Sequence, residues 1–306
     1  ETGIAPAIVN NADMKSYGFE IELSWRDRIG EVDYGVKFNL ADAQQKVVKY
    51  PNTTNAFSDW YAGKMSGEIW GYTSLGIAKT DEEMKEHLAS LPNGGQNQLG
   101  NKWGAGDIMY ADINGDGKVD GGKGTLADPG DQRIIGNSTP RYNFGLVLDA
   151  SYKGFDVSIF FQGVGKRDYA PIVGTNGAVF WGAVNNIWQS MAMEEHFDYF
   201  RPEGHPMGAN LNGYYPRPDF TSNKNHQVQT RYLQDASYIR LKNLQIGYTL
   251  PKQWINKLHI NRCRVYVSGD NLWTGTSLAS MFDPETLAAG DWGSGKTYPL
   301  SKVCLL

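Results

Sequence analysis

Between Tyr142 and Tyr152 the chain switches sides at every residue. Tyr142, Phe144, Leu146, Leu148, Ala150 and Tyr152 fall on one set of positions; Asn143, Gly145, Val147, Asp149, Ser151 and Lys153 fall on the other. Successive strand side chains point to opposite faces, so this period of two predicts a strand with one apolar face and one mainly small or polar face. The run Tyr17, Phe19, Ile21, Leu23, Trp25 against Gly18, Glu20, Glu22, Ser24, Arg26 has the same form. So does Val32, Tyr34, Val36, Phe38, Leu40 against Asp33, Gly35, Lys37, Asn39, and Arg26 to Glu31 reads as the hairpin turn between the two.

The spacing of such runs carries more information than any one of them. Strands are expected at 17–26, 32–42, 140–152, 155–163 (Phe155, Val157, Ile159 and Phe161 on one face), up to Thr249-Leu250, near 262–273, and from Thr297. Short connections (Lys153-Gly154, and a compact one beginning Pro251-Lys252) alternate strictly with long excursions. Outer-membrane barrels alternate short periplasmic turns with long extracellular loops in this way, whereas a compact soluble domain has little room for long loops. Tyr142 to Tyr152 would span about 34 Å of strand, or about 24 Å of height at a 45° tilt, close to an apolar band of about 25 Å edged by aromatic girdles.

Composition sharpens this picture. Aromatics make up 12% of the 306 residues, with 17 Tyr and 9 Trp, and there are 36 Gly. Mean hydropathy is only −0.47, and no apolar run approaches the ~20 residues of a spanning helix. That excludes helical insertion and leaves barrel strands, which hide their hydrophobicity in alternation. A net charge of −4 gives no footprint for nucleic acid. Cys263 and Cys304 form neither a CxxC pair nor a metal spacing, and Cys263 shares a strand face with Val265 and Val267.

One polar stretch has the spacing of an ion loop. Asp112, Asn114 and Asp116 fill positions 1, 3 and 5 of a calcium loop, Gly117 allows the sharp turn, Lys118 offers its carbonyl and Asp120 stands at position 9. Position 12 is Lys123, which cannot ligate, so the closing carboxylate is expected from Asp128 or Asp131 beyond a Gly-rich insert. The competing reading is an Asp/Gly-rich turn that binds nothing. No helices flank the loop, so a structural calcium ion pinning it suits the pattern better than a switching sensor.

Several motifs together carry a family resemblance. The acidic loop is followed by Gly130-Asp-Gln-Arg-Ile-Ile-Gly-Asn137 and Ser138-Thr-Pro-Arg-Tyr-Asn-Phe-Gly145; Asn11 to Gly18 and Gly67-Glu-Ile-Trp-Gly-Tyr72 precede it; Tyr232 to Leu244, Val265-Tyr-Val-Ser-Gly-Asp-Asn-Leu-Trp273 and Phe282-Asp-Pro-Glu285 follow. In this order, over about 10–302, they resemble the C-terminal half of SusC/RagA-type TonB-dependent outer-membrane transporters. The resemblance implies an all-β fold, an antiparallel transmembrane β-barrel of 22 strands with an N-terminal plug and long extracellular loops. Residues 1–306 would be its partial, C-terminal strands, the plug domain and N-terminal strands being absent. It also implies energised import of glycan oligosaccharides or peptides across the cell outer membrane. A SusD-like surface lipoprotein would cap the mouth, and the TonB complex would act through the missing N-terminal region.

The visible strands number about seven, fewer than the eight of the smallest barrels, so the chain by itself is not expected to form a pore: an open sheet leaves unpaired edges that lipid does not tolerate. Tyr298-Pro-Leu-Ser-Lys302 begins a final strand that Val303-Cys-Leu-Leu306 then interrupts, as a truncated or frameshifted reading frame would.

Other candidates read as structural. The aromatics Phe180, Trp181, Trp188, Phe197, Tyr199, Phe200, Tyr214 and Tyr215 could stack on sugar rings, but packing of the loop against itself or a lid protein is the simpler expectation. Glu194, Glu195 and Asp198 lack the held-apart geometry of glycosidase carboxylates. His87, His196, His205, His226 and His259 show no zinc spacing, and Asn93-Gly-Gly95 lacks a phosphate loop's context. Thr80 to Leu91 reads as a capped loop helix. The expected role is transport without catalysis, with outer-membrane lipid on the apolar faces and Glu20, Glu22, Asp33, Lys37, Asn39 and Asp149 lining the path. The alternatives are a secreted calcium-dependent carbohydrate-binding β-sandwich and, further off, a β-sandwich glycosidase.

Overall fold

The computed structural model describes residues 10–171, 180–182, 193–219, 223–256, 260–287 and 299–305. In chain order its first elements are β1 (Asp13–Ile29), β2 (Val32–Lys49), β3 (Glu68–Gly71), β4 (Ser74–Ile77), α1 (Asp81–Ala89), β5 (Ile108–Tyr110) and β6 (Arg133–Asn137). There follow β7 (Arg141–Tyr152), β8 (Phe155–Lys166), β9 (Asp168–Tyr169), β10 (Gln234–Asp235), β11 (Tyr238–Thr249), α2 (Lys252–Ile255), β12 (Arg264–Thr276) and β13 (Val303–Leu305).

Seven strands form one sheet in the order β1-β2-β7-β8-β11-β12-β13. β2 and β7, β7 and β8, β8 and β11, β11 and β12, and β12 and β13 pair antiparallel. Register preserves the alternation from strand to strand. Val36 faces Leu148, Phe38 faces Leu146 and Leu40 faces Phe144, while Asp33 faces Ser151 and Asn39 faces Gly145. On the next pair Leu148 faces Ile159 and Leu146 faces Phe161; then Val157 faces Ile246 and Ile246 faces Val267. Directly opposed residues share a face, so one greasy and one wet surface run across the sheet. Among the described residues no second layer covers the greasy surface: Trp25, Ile246 and Val265 are 62%, 52% and 59% exposed. A β-sandwich would bury that surface against a facing sheet, and the sandwich and glycosidase readings are set aside.

Two turns fix the register. Gly30 (φ 62°) bends the β1–β2 hairpin, and Lys153 (φ 46°) with Gly154 (φ 90°) bends β7 into β8. Successive positive φ values match the twist of a two-residue hairpin. The turn expected over Arg26 to Glu31 is therefore tighter, and β1 runs on to Ile29. β2 runs past residue 42 to Lys49. There its polar residues Gln44, Gln45 and Lys46 give no alternation to read. The last described strand is Val303–Leu305, paired with β12; Thr297, where the sequence predicts its start, lies outside the described residues. Cys304 faces Gly269 on the greasy side, so Val303 and Leu305, opposite Asp270 and Ser268, fall on the wet side.

The chain divides into two compact units, residues 1–17, 44–137 and 181–233 forming one, and 18–43, 138–180 and 234–306 the other. The second contains most of the sheet. The first is built from the two longest excursions and has its own core, with Val47, Met84, Ile108, Tyr110, Val119, Trp181, Tyr215 and Tyr232 at most 2% exposed. α1 is capped as expected: Thr80 Oγ1 accepts from Glu83 N at 3.1 Å, with Asp81, Glu82 and Glu83 in the first turn, where carboxylates favour the positive helix end.

Candidate functional site

The acidic loop folds around its own carboxylates. Asp112 Oδ1 and Oδ2 accept from Gly115 N (2.6 Å) and Gly117 N (2.8 Å). Asn114 Oδ1 accepts from Asp116 N (3.0 Å), and Asp116 Oδ1 from Lys118 N (3.2 Å). Gly115 and Gly117 hold φ near 78° (77° and 79°), the left-handed region that side chains avoid. Asp131, fully buried, ties the two ends: Oδ1 accepts from Ile113 N at 2.7 Å and Oδ2 from Asp120 N at 2.8 Å. Of the two expected closing residues, Asp131 is the one drawn in; the Asp128 carbonyl instead accepts from Lys123 N and Thr125 N (3.1 and 3.2 Å).

Lys118 plays a part its position did not suggest. Besides offering a carbonyl, its ammonium lies 2.5 Å from Asp120 Oδ2 and 3.9 Å from Asp116 Oδ2. This holds the Asp120 carboxyl below its ordinary range and raises Lys118. Burial pushes Asp131 up, against its backbone donors. Among the described residues no three His, Cys, Asp or Glu side chains converge as a metal cage. The donor set, all oxygen, is the kind that hard cations such as calcium take, and the Asp112 and Asp131 carboxylates are already engaged by backbone N–H groups.

The loop is anchored in its unit. Val119 N donates to Gly95 O (2.7 Å) and Asn93 N to Gly117 O (2.8 Å). The aromatics expected to pack the second excursion do so: Phe180, Trp181, Phe200 and Tyr215 are buried, with Trp181 and Tyr215 edge-on at 5.9 Å. Phe197 is exposed, and Trp188 lies outside the described residues, as does His259. His226 sits 4.2 Å from the Trp181 ring, and burial lowers its pKa to about 4.

Two sequence motifs meet in the other unit. Arg240, from the Tyr232 to Leu244 run, donates to Asp283 Oδ1 (2.6 Å) and Glu285 Oε2 (2.8 Å) of Phe282-Asp-Pro-Glu285, and Lys242 reaches Glu285 Oε1 (2.8 Å). The expected wet-face residue Asp149 is paired with Arg26 at 3.1 Å, and Asp33 with Arg28 at 3.3 Å.

No family model matches the chain. Curated relatives do. It is 27% identical over 302 residues to TonB-dependent receptor P3 of Formosa agariphila, covering 93% of this chain and 26% of the receptor. The chain is similar to TonB-dependent receptors along nearly its whole length. TonB-dependent receptor P39 of the same organism matches at 22% identity, over 93% of this chain and 29% of its own length. The chain thus spans about a quarter of the curated relatives it matches. Among solved structures, that of the RagAB peptide transporter superposes with a TM-score of 0.64 at 21% identity, covering 96% of this chain and 29% of the other. The RagAB peptide importer in its closed-closed state gives 0.60 at 21% identity, over 96% and 29%. The resemblance drawn from the motifs, the partial-barrel fold and the outer-membrane location are borne out, and the relatives are receptors and transporters rather than enzymes.

Proposed function

We propose that this chain supplies a stretch of barrel wall and the extracellular excursions of an outer-membrane importer of nutrient oligomers. The observation that carries the reading is the seven-stranded sheet whose apolar face meets no protein core among the described residues, its strands joined alternately by short connections (two residues in β1–β2 and β7–β8, a short helical one in β11–β12) and by long excursions. The wet face, with its row of paired charges, borders the conduit. Cargo of the SusCD kind, glycan oligosaccharide or peptide, would be captured at the excursions beneath a SusD-like surface lipoprotein. TonB-coupled plug movement would release it inward. The peptide named for the RagAB neighbours supports the peptide arm; the exposed Phe197 and Trp60 offer faces for either cargo.

The acidic loop would hold a structural Ca²⁺ through Asp112, Asn114, Asp116, the Lys118 carbonyl, Asp120 and Asp131, pinning the first excursion. The test is uptake by cells expressing the intact receptor. Labelled oligosaccharide and labelled oligopeptide pools are offered separately, alongside membrane fractionation. Recovery in the outer membrane with energy-dependent uptake of one pool is expected. Recovery of the receptor as a soluble species would overturn the reading.

A further inference from the structure

Asp107 is fully buried and accepts from five donors. Oδ1 takes Arg217 Nε and Asn225 Nδ2 at 2.9 Å each. Oδ2 takes Gly104 N (2.9 Å), Arg217 Nη2 (2.6 Å) and Lys224 Nζ (2.9 Å). Lys224, 1% exposed, is itself enclosed: its ammonium also reaches Lys102 O at 2.9 Å and Asn101 O at 3.3 Å, and stands 5.1 Å over the Trp103 ring. Lys102 adopts a left-handed φ of 55° to present that carbonyl, a conformation that persists for a non-glycine only where surroundings impose it.

The donors and the carboxylate come from different parts of the chain. Residues 101–110 belong to the excursion between β2 and β7, and residues 217–230 to the one between β8 and β11. Backbone bonds continue the seam: Arg217 N to Gly106 O (2.9 Å), Tyr72 N to Val228 O (2.8 Å) and Thr230 N to Tyr72 O (3.0 Å). Around them Tyr110 Oη donates to Lys224 O at 2.6 Å, and Asn225 Oδ1 accepts from Ile108 N at 2.9 Å. A buried charge stripped of its partner is costly, so this network has few partly broken states.

We infer that the two excursions are one mechanical body, locked by Lys224 and Arg217 on Asp107, so that a ligand or partner met by either is felt by both. This holds whatever the cargo. The test is amide hydrogen exchange of the intact receptor in detergent, comparing the parent with Lys224→Met, Asp107→Asn and the double variant. In each, exchange at 101–110 and at 223–230 rises together, about a hundredfold or more, and the double variant adds little to Asp107→Asn. Loosening confined to the segment carrying the substitution would overturn the inference. Arg217→Lys keeps the charge and loses the fork; if the stronger variants do not assemble, it carries the same test, with a smaller but still joint increase expected and a one-sided increase fatal.

Discussion

Arg26 reaches Asp149 at 3.1 Å over β2, at the point where Gly35 leaves the wet face bare. Gly35 is paired with Asp149, and a Cβ there would stand 2.7 Å from its Oδ1. Gly35→Val is expected to displace the carboxylate and destabilise the wall by about 1–3 kcal/mol. Arg26→Ala, removing an exposed partner, should cost at most about 1 kcal/mol. Urea titration of the purified receptor distinguishes them. Equal losses would mean the glycine is not there for the crossing.

The arrangement recurs further along the same face of the sheet. Arg264 lies over Gly247 to reach Asp156, which Gly247 faces across β8–β11. Gly247→Val should therefore repeat the Gly35→Val loss, and the two losses should add, since distant sites rarely couple. The same titration on the double variant checks this.

Arg240 is buried with Asp283, so Arg240→Met strands a carboxylate that is only 6% exposed at its side chain. A loss of about 3–5 kcal/mol is expected. Asp283→Asn in the same background should recover part of it, which thermal unfolding in detergent would show.

Lys118 competes with any cation for Asp120 and Asp116. Lys118→Gln is expected to tighten calcium binding, and Asp131→Asn to weaken it, since Asp131 joins both ends of the loop. Calorimetric titration of the chelator-stripped receptor with Ca²⁺ measures both. No change in either would remove the ion from the picture and leave a self-capped turn.

His226 has a pKa of about 4 because burial disfavours its charged form, while nearby Asp219 pulls the other way. The unfolded value is about 6.5. Unfolded chains therefore bind the extra proton between those pH values, and stability falls as pH drops from about 6.5 to 4, by about 3 kcal/mol in all. His226→Phe should flatten that slope in unfolding measured across the window.

Much of the sheet was legible in the chain. β7 and β8 declare themselves because one face is continuously apolar and the other small or polar, so alternation is uninterrupted. The end of β1 is hidden because Arg26-Asp27-Arg28 mimics a turn, whereas the bend is set by Gly30. The upper part of β2 is polar on both faces and carries no period. The acidic loop's spacing was visible, and so was the competition for its closing residue, but not the ammonium of Lys118 among its carboxylates. Nothing local marks Asp107: its partners Arg217 and Lys224 lie far along the chain, and only tertiary structure buries its charge.

The bend at Lys153-Gly154, with both φ angles positive, has an evolutionary corollary. An inserted residue that one strand absorbed would carry every one of its side chains to the opposite surface, so sequence change that keeps the greasy and wet faces apart has to leave the length of this bend alone.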